Sequence, residues 1–357
     1  MSNIIEQYDH YLSASGPAAV VIREPLIPVE GADGVLFPST FAAGDGFPGG
    51  YNIDGDPNGE NIALVDSVGS QANRIEPLFA EPDYAGLVPQ VTITAGTKRI
   101  SLLEAGHRAG DAIVRCSTLQ EELQKAFKAL LDGNATALAK IAPTSLVFGV
   151  WDSRDTQAKM PRLIASTIRA YNVRKLTRSA QYVPAMDYVG KSGNQGVLPE
   201  PADKAAKDAY AERGFVHVPA TGSHGGIIAK GGIRRDATLA VAALKLIHAG
   251  SDADATKALR RYIFGLALVA FTKLPGGYLR QGTILVSDPD KKRTAEEVYA
   301  DGTRKTFTVT HEKAVAYAQA AAAAFVIGEN RDAPFDAVRA KIDLEGKEKK
   351  GKAKKEK

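Results

Sequence analysis

Asp152 and Asp155, in DSRD, follow an apolar run and form the arrangement in this chain closest to hydrolytic chemistry. A carboxylate on a loop can hold a metal ion or orient a water, yet Asp is equally the residue that closes turns and caps helices. DGDPNGEN (54–61) places Asp54, Asp56, Asn58 and Gly59 at the spacing of half a calcium loop, but Val65 stands where a bidentate Glu is required and Pro57 stiffens the middle. It reads as a turn. The six histidines (10, 107, 217, 224, 248, 311) are far apart, with no H-x-x-x-H, so neither a metal nor any other cofactor is expected.

ATGSHGGIIAKGGIRRD (220–236) sets five glycines among His224, Lys230, Arg234 and Arg235. It matches neither the Walker A spacing nor a G-x-G-x-x-G between strand and helix, and its HGG has no G-x-S-x-G nucleophile to serve. What it offers is a flexible loop with cations at its border, open to phosphate contact or to ordinary solvation. A small-molecule phosphate enzyme built on this loop is the reading from composition alone.

The strongest signal is KMPRLIASTIRAYNVRKLTRSAQY (159–182), with Lys159, Arg162, Arg169, Arg174, Lys175 and Arg178, two tyrosines and no Asp or Glu. If Pro161 opens a helix, Arg162, Ser166 and Arg169 share one side, and Ile164, Ile168 and Tyr171 the other. Like charges this dense repel, so the compensation comes from distant residues or from an external polyanion. VDSVGSQANRIE carries a related pattern. On a helix Leu64, Val68, Ala72, Ile75 and Phe79 form an apolar stripe, while Ser67, Ser70, Gln71 and Arg74 form a face suited to a sugar-phosphate backbone.

The elements that must hold these residues mix both types. A strand is expected over 18–30, a Gly, Pro and Asp loop over 42–61, and a helix over 61–79 that stops near Pro77. A hairpin follows at 87–95 and 98–103, helices at 104–115 and 119–131, and a buried strand at 144–152. Residues 188–208 look like an inserted loop. Helices at 236–249, 254–272 and 311–326 alternate with strands at 277–287 and 305–310. Strands and helices do not alternate strictly and no repeat is visible, so the fold class is α+β with long insertions.

Composition bounds the partners. Of 45 Lys and Arg and 41 Asp and Glu, the last twelve residues (346–357) hold seven Lys and two Glu, leaving 38 cations against 39 anions in residues 1–345. The body is neutral, and its basicity is local. The tail has one Ala and otherwise no apolar residue, and is expected to be disordered. With 44% hydrophobic residues a sizeable core is expected, and Cys116 alone excludes an intrachain disulfide. No signal sequence or bilayer-length apolar run is seen, so a cytoplasmic chain without membrane partners is expected.

Taken together, LVDSVGSQANRIEPLF, HRAGDAIV, TSLVFGVWDSRDTQAKMPRLIASTIRAYNV, LTRSAQYVPAMDYV and GGIRRDATLAVAALKLIHA resemble the CRISPR-associated backbone subunit of type I surveillance complexes, specifically the RAMP-type "Cas seven" subfamily of type I-U (I-G) Cascade. The resemblance runs over roughly residues 18–290. It implies a ferredoxin-like, RNA-recognition-type palm with finger and thumb insertions, one unit over 1–345 with insertions notably at 31–61 and 188–233. It also implies a non-catalytic subunit that stacks with copies of itself and other Cascade subunits along CRISPR RNA and presents that RNA for pairing with target DNA. Related subunits place Ser-Ser-Gln and a nearby cation on the guide; Ser70, Gln71 and Arg74 are similar, with Gly69 replacing the first Ser. Lys159, Arg162, Arg169 and Arg178 follow as RNA-binding candidates, then Lys230, Arg234 and Arg235. The rival within the resemblance is a metal-dependent RNase of the type III kind, with Asp152 or Asp155, or more weakly Asp66, as its loop carboxylate.

Overall fold

The computed structural model describes residues 4–57, 59–190, 196–273 and 276–345, so the Lys-rich tail lies outside the described residues. In chain order the main strands are β1 (Ala19–Pro28), β2 (Asn61–Asp66), β3 (Ile164–Tyr171), β4 (Val173–Tyr182), β5 (Val218–Ala229), β6 (Ile233–Leu239), β7 (Thr283–Ser287) and β8 (Thr294–Val298). The helices that matter here are α1 (Val68–Ile75), α2 (Ala253–Thr272) and α3 (His311–Phe325).

One antiparallel sheet organises the chain, in the order β7-β1-β6-β3-β2. Numbered along a β-α-β-β-α-β unit, β7, β1, β6 and β3 are its fourth, first, third and second strands. This is the ferredoxin-like arrangement, with β2 added beyond the second strand. β8 continues β7 along the other half of β1, since Ser287 pairs with Leu26 and Thr294 with Arg23. α1 lies in the first crossover and α2 in the second.

Both helices cover the same face. Strand alternation turns Val20, Ile22, Glu24 and Leu26 of β1 and Ile233, Arg235, Ala237 and Leu239 of β6 inward, all buried. α2 is capped by Asp252, which accepts from Ala255 N, and buries twelve residues against the sheet and α3. Its contact with α3 is close: a Cβ on Gly265 would stand 2.9 Å from Ala318 Cα, so alanine there forces the helices apart. Two apolar clusters form on this face, a large one around α2 and α3 and a smaller one around Leu26, Ile168 and Ile233.

The α+β reading holds, as do β1, the hairpin Val91–Ala95 with Lys98–Ser101, the helix Gln120–Leu131, and α2 and α3. Four local readings are corrected. Residues 61–79 are a strand, the short α1 and a 3₁₀ turn, because Ser67 accepts from Ser70 N and starts the helix late. TSLVF (Thr144–Phe148) is a helix buried on every side and ended by Gly149 at φ 81°. Residues 236–249 divide between the end of β6 and a single turn at Val241–Leu244.

The fourth correction concerns the cationic segment and the Gly-rich stretch, which are strands. β3 bends into β4 at Asn172 (φ 48°), and β5 returns into β6 through Gly231 and Gly232, so β4 and β5 form a long two-stranded ribbon projecting from the sheet. The glycines permit tight packing. A Cβ on Gly225 would meet the Thr177 carbonyl carbon at 2.6 Å, and Gly226 (φ 96°) lies against Val35.

Candidate nucleic-acid interface

Between the two apolar clusters runs a buried polar belt. Asp66, fully buried at the end of β2, accepts two donors on each oxygen: Ser70 Oγ (2.8 Å) and Arg280 Nη2 (2.7 Å) on Oδ1, Gln71 Nε2 (2.6 Å) and Arg74 Nε (3.3 Å) on Oδ2. Gln71 is 2% exposed, and its Oε1 accepts from Ser166 Oγ at 3.0 Å. On the neighbouring strands Arg235 pairs through Nε with Glu24 at 2.7 Å, both 3% exposed. The helix face that resembles a guide-binding motif thus spends Ser70 and Gln71 on an internal carboxylate. Arg74, about a third exposed, lines a cleft.

A second group gathers at the start of β3. Arg162 donates from Nε to Phe148 O at 3.0 Å, and its Nη2 lies beside Gly69 at the head of α1. Lys159 stands over the ring of Trp151 at 5.5 Å, and that indole is 56% exposed. Beneath them Arg108, with φ 53° and 3% exposed, pairs with Glu76 at 2.6 Å. Burial pushes the Glu76 carboxyl up to about 7 against the pull of Arg108, and burial likewise holds the Arg108 guanidinium down, with Arg162 lowering it further.

The remaining candidates lie on the other side of the sheet and on the ribbon. Arg234 rests on Tyr171, 5.0 Å from the ring centre, donates to its hydroxyl, and is held by Asp236 at 2.8 Å. Arg169 sits directly across from Arg234 in the ladder. Two guanidiniums in register repel, and among the described residues Arg234 is the one of the two with a carboxylate. Arg174 and Lys175 are exposed on β4; Arg178, also exposed, stands 6.0 Å over the Phe37 ring; and Lys230 is exposed at the ribbon's base. Among the described residues, Lys159, Arg162, Arg169, Arg174, Lys175 and Lys230 form no ion pair. The choice left open by the sequence, distant acids or an external polyanion, narrows accordingly.

Residues 20–175 match the model of a family described as CRISPR-associated protein GSU0053. Over these residues, fewer than half of its length, the chain is similar to that CRISPR-associated family. The match bears out the resemblance to RAMP-type subunits and spans β1 through the first residues of β4, including Arg174 and Lys175. No curated protein matches the chain.

The carboxylates have structural partners. Asp152 is 3% exposed and accepts from Thr156 N (2.8 Å) and Oγ1 (2.7 Å), closing the turn after Trp151, while Asp155 accepts from Gln124. Among the described residues no group of three His, Cys, Asp or Glu is placed to hold a metal, and no helix is long and apolar enough to cross a membrane.

The candidates do not form one site. Ser70, Gln71, Arg74 and Arg235 lie on the helix side of the sheet; Arg169 and Arg234 face the other way; Lys159 and Arg162 occupy the corner; Arg178 and Lys230 belong to the ribbon. Sequence reasoning missed Trp151, whose signal was an indole beside a cation-rich stretch, masked by the apolar run TSLVFGVW. A base stacked on an exposed aromatic contributes about 1–3 kcal/mol. Trp151→Ala is therefore expected to weaken single-stranded RNA binding roughly tenfold with unchanged melting temperature. Wild-type affinity in an anisotropy titration would remove the indole from the interface.

Proposed function

We propose that this chain is a non-catalytic backbone subunit of a CRISPR surveillance complex, polymerising along the CRISPR RNA in the cytoplasm and presenting it to target DNA. The observation that carries the reading is the set of Lys159, Arg162, Arg169, Arg174 and Lys175, which lie on one stretch of chain running from the sheet corner through β3 into the ribbon without an ion-paired acid among the described residues. Cations spaced along a path suit a sugar-phosphate backbone. A subunit that must accept any guide contacts phosphates and 2′-hydroxyls and leaves base edges to pairing, as RNA-guided effectors do. The partners in this reading are the guide, further copies of the chain and the other subunits of the complex.

The test is purification from cells that carry the CRISPR array, followed by size exclusion with light scattering and sequencing of any bound RNA. A ribonucleoprotein-sized particle holding repeat-spacer RNA is expected, dissolving on RNase treatment. An RNA-free monomer that persists when partner subunits are co-expressed defeats the reading.

A further inference from the structure

The polar belt has more positive charge than it uses. Asp66 meets two guanidiniums, Arg74 and Arg280, and Glu24 meets two more, Arg235 and Arg293. Two carboxylates against four guanidiniums leave an excess of two positive charges, with both carboxylates and Arg235 buried and the other three guanidiniums partly exposed. Arg235 is the decisive group. Its Nε is taken by Glu24, but its Nη2 is buried and has no acceptor among the described residues. Buried N–H groups are nearly always satisfied, and one that is not marks a place where an acceptor belongs.

Arg235 lines two adjoining hollows. One is a cleft of about 560 Å³ between α1 and the strand Tyr278–Arg280; the other is a pocket of about 230 Å³. Both share Gln71, Gly276 and Leu279. The cleft is in the size range of small-ligand sites. Ile75, Leu78 and Leu279 give it apolar walls, Arg74 and Lys273 supply two cations against one acid, Glu81, with Lys273 also donating to the Tyr84 hydroxyl at 3.1 Å, and Tyr278, 63% exposed, offers an aromatic ring at its mouth. An aromatic rim, apolar walls, cations and one buried N–H without an acceptor together match one ligand chemistry.

We infer that this cleft binds a single nucleotide unit, its base stacked on Tyr278 and reaching Arg235 Nη2 with a ring carbonyl or nitrogen, its phosphate on Arg74 and Lys273. The unit is either one unstacked nucleotide of a bound strand or a free mononucleotide. The first source rests on the reading of the chain as an RNA-backbone subunit; the second does not.

The experiment compares wild type, Tyr278→Ala and Tyr278→Phe in anisotropy titrations with a short single-stranded RNA and with the same backbone made abasic, and by calorimetry with adenosine 5′-monophosphate. Tyr278→Ala is expected to weaken the RNA roughly tenfold while leaving the abasic strand unchanged, and Tyr278→Phe to restore binding. Mononucleotide binding as tight as the RNA, and abolished by Tyr278→Ala, assigns the cleft to free nucleotide; much weaker binding assigns it to the strand. The inference is overturned if Tyr278→Ala weakens both strands equally, or neither, and removes no mononucleotide binding. If wild type binds no RNA, the backbone reading falls, and the mononucleotide titration alone decides the cleft: saturation upholds it and silence overturns it.

Discussion

Replacing Arg169, Arg174 and Lys175 together with alanine is expected to lower affinity for single-stranded RNA roughly 50-fold at physiological salt. The number follows from counterion release. Each phosphate neutralised on a single strand contributes a slope of about −0.7 in the dependence of log affinity on log salt, worth about 0.8 kcal/mol at 0.15 M. Three contacts removed therefore flatten the slope by about 2. These side chains are chosen because none has an ion-pair partner among the described residues, so truncation breaks no salt bridge of the fold. Arg234→Ala should cost less, since its guanidinium is already shared between Asp236 and Tyr171. The loss should be equal for unrelated sequences. Wild-type affinity in the triple variant, or a loss that varies with base sequence, would contradict backbone recognition along this path.

What could be read from the sequence depended on how local the signal was. β1 alternates buried and less buried residues over ten positions, and α2 is long, apolar and capped, so each announces itself within its own window. The cationic segment does not. Ile164 and Ile168, four apart, fit one face of a helix and equally the same face of a strand, and Pro161 favours the helix. Pairing of β3 with both β6 and β2 decides for the strand, and that pairing joins residues far apart in the chain. The consequence for the site is direct: with a period of two, Ser166 points into the belt and Arg169 away from it, where a helix would have put them together. TSLVF failed for another reason. All five residues are buried, so no periodicity remains to separate helix from strand. Tyr278 and Lys273 were invisible because a cleft exists only after α1 and the second crossover meet.

Asp66→Ala is expected to destabilise the chain by about 3 kcal/mol, in line with the cost of leaving buried partners without their charge. The carboxylate is fully buried, and removing it strands the Gln71 amide, which cannot turn to solvent because it is 2% exposed and tied to Ser166. Arg74 and Arg280 retain some exposure, 37% and 23%, and can relax toward water, which keeps the estimate at the low end. For a chain of this size the melting temperature should fall by about 4 °C, and the urea midpoint should drop with little change in slope. Asp66→Asn should lose less, since an amide oxygen can still accept from Ser70 or Gln71. The same measurement separates structure from catalysis. A carboxylate with two donors on each oxygen has little left to offer a metal or a water, so the expected role of Asp66 is in folding energy and not in an RNase centre. Unaltered stability in Asp66→Ala, with loss of a metal-dependent RNA cleavage that wild type performs, would reverse that assignment and make Asp66 the loop acid of a nuclease.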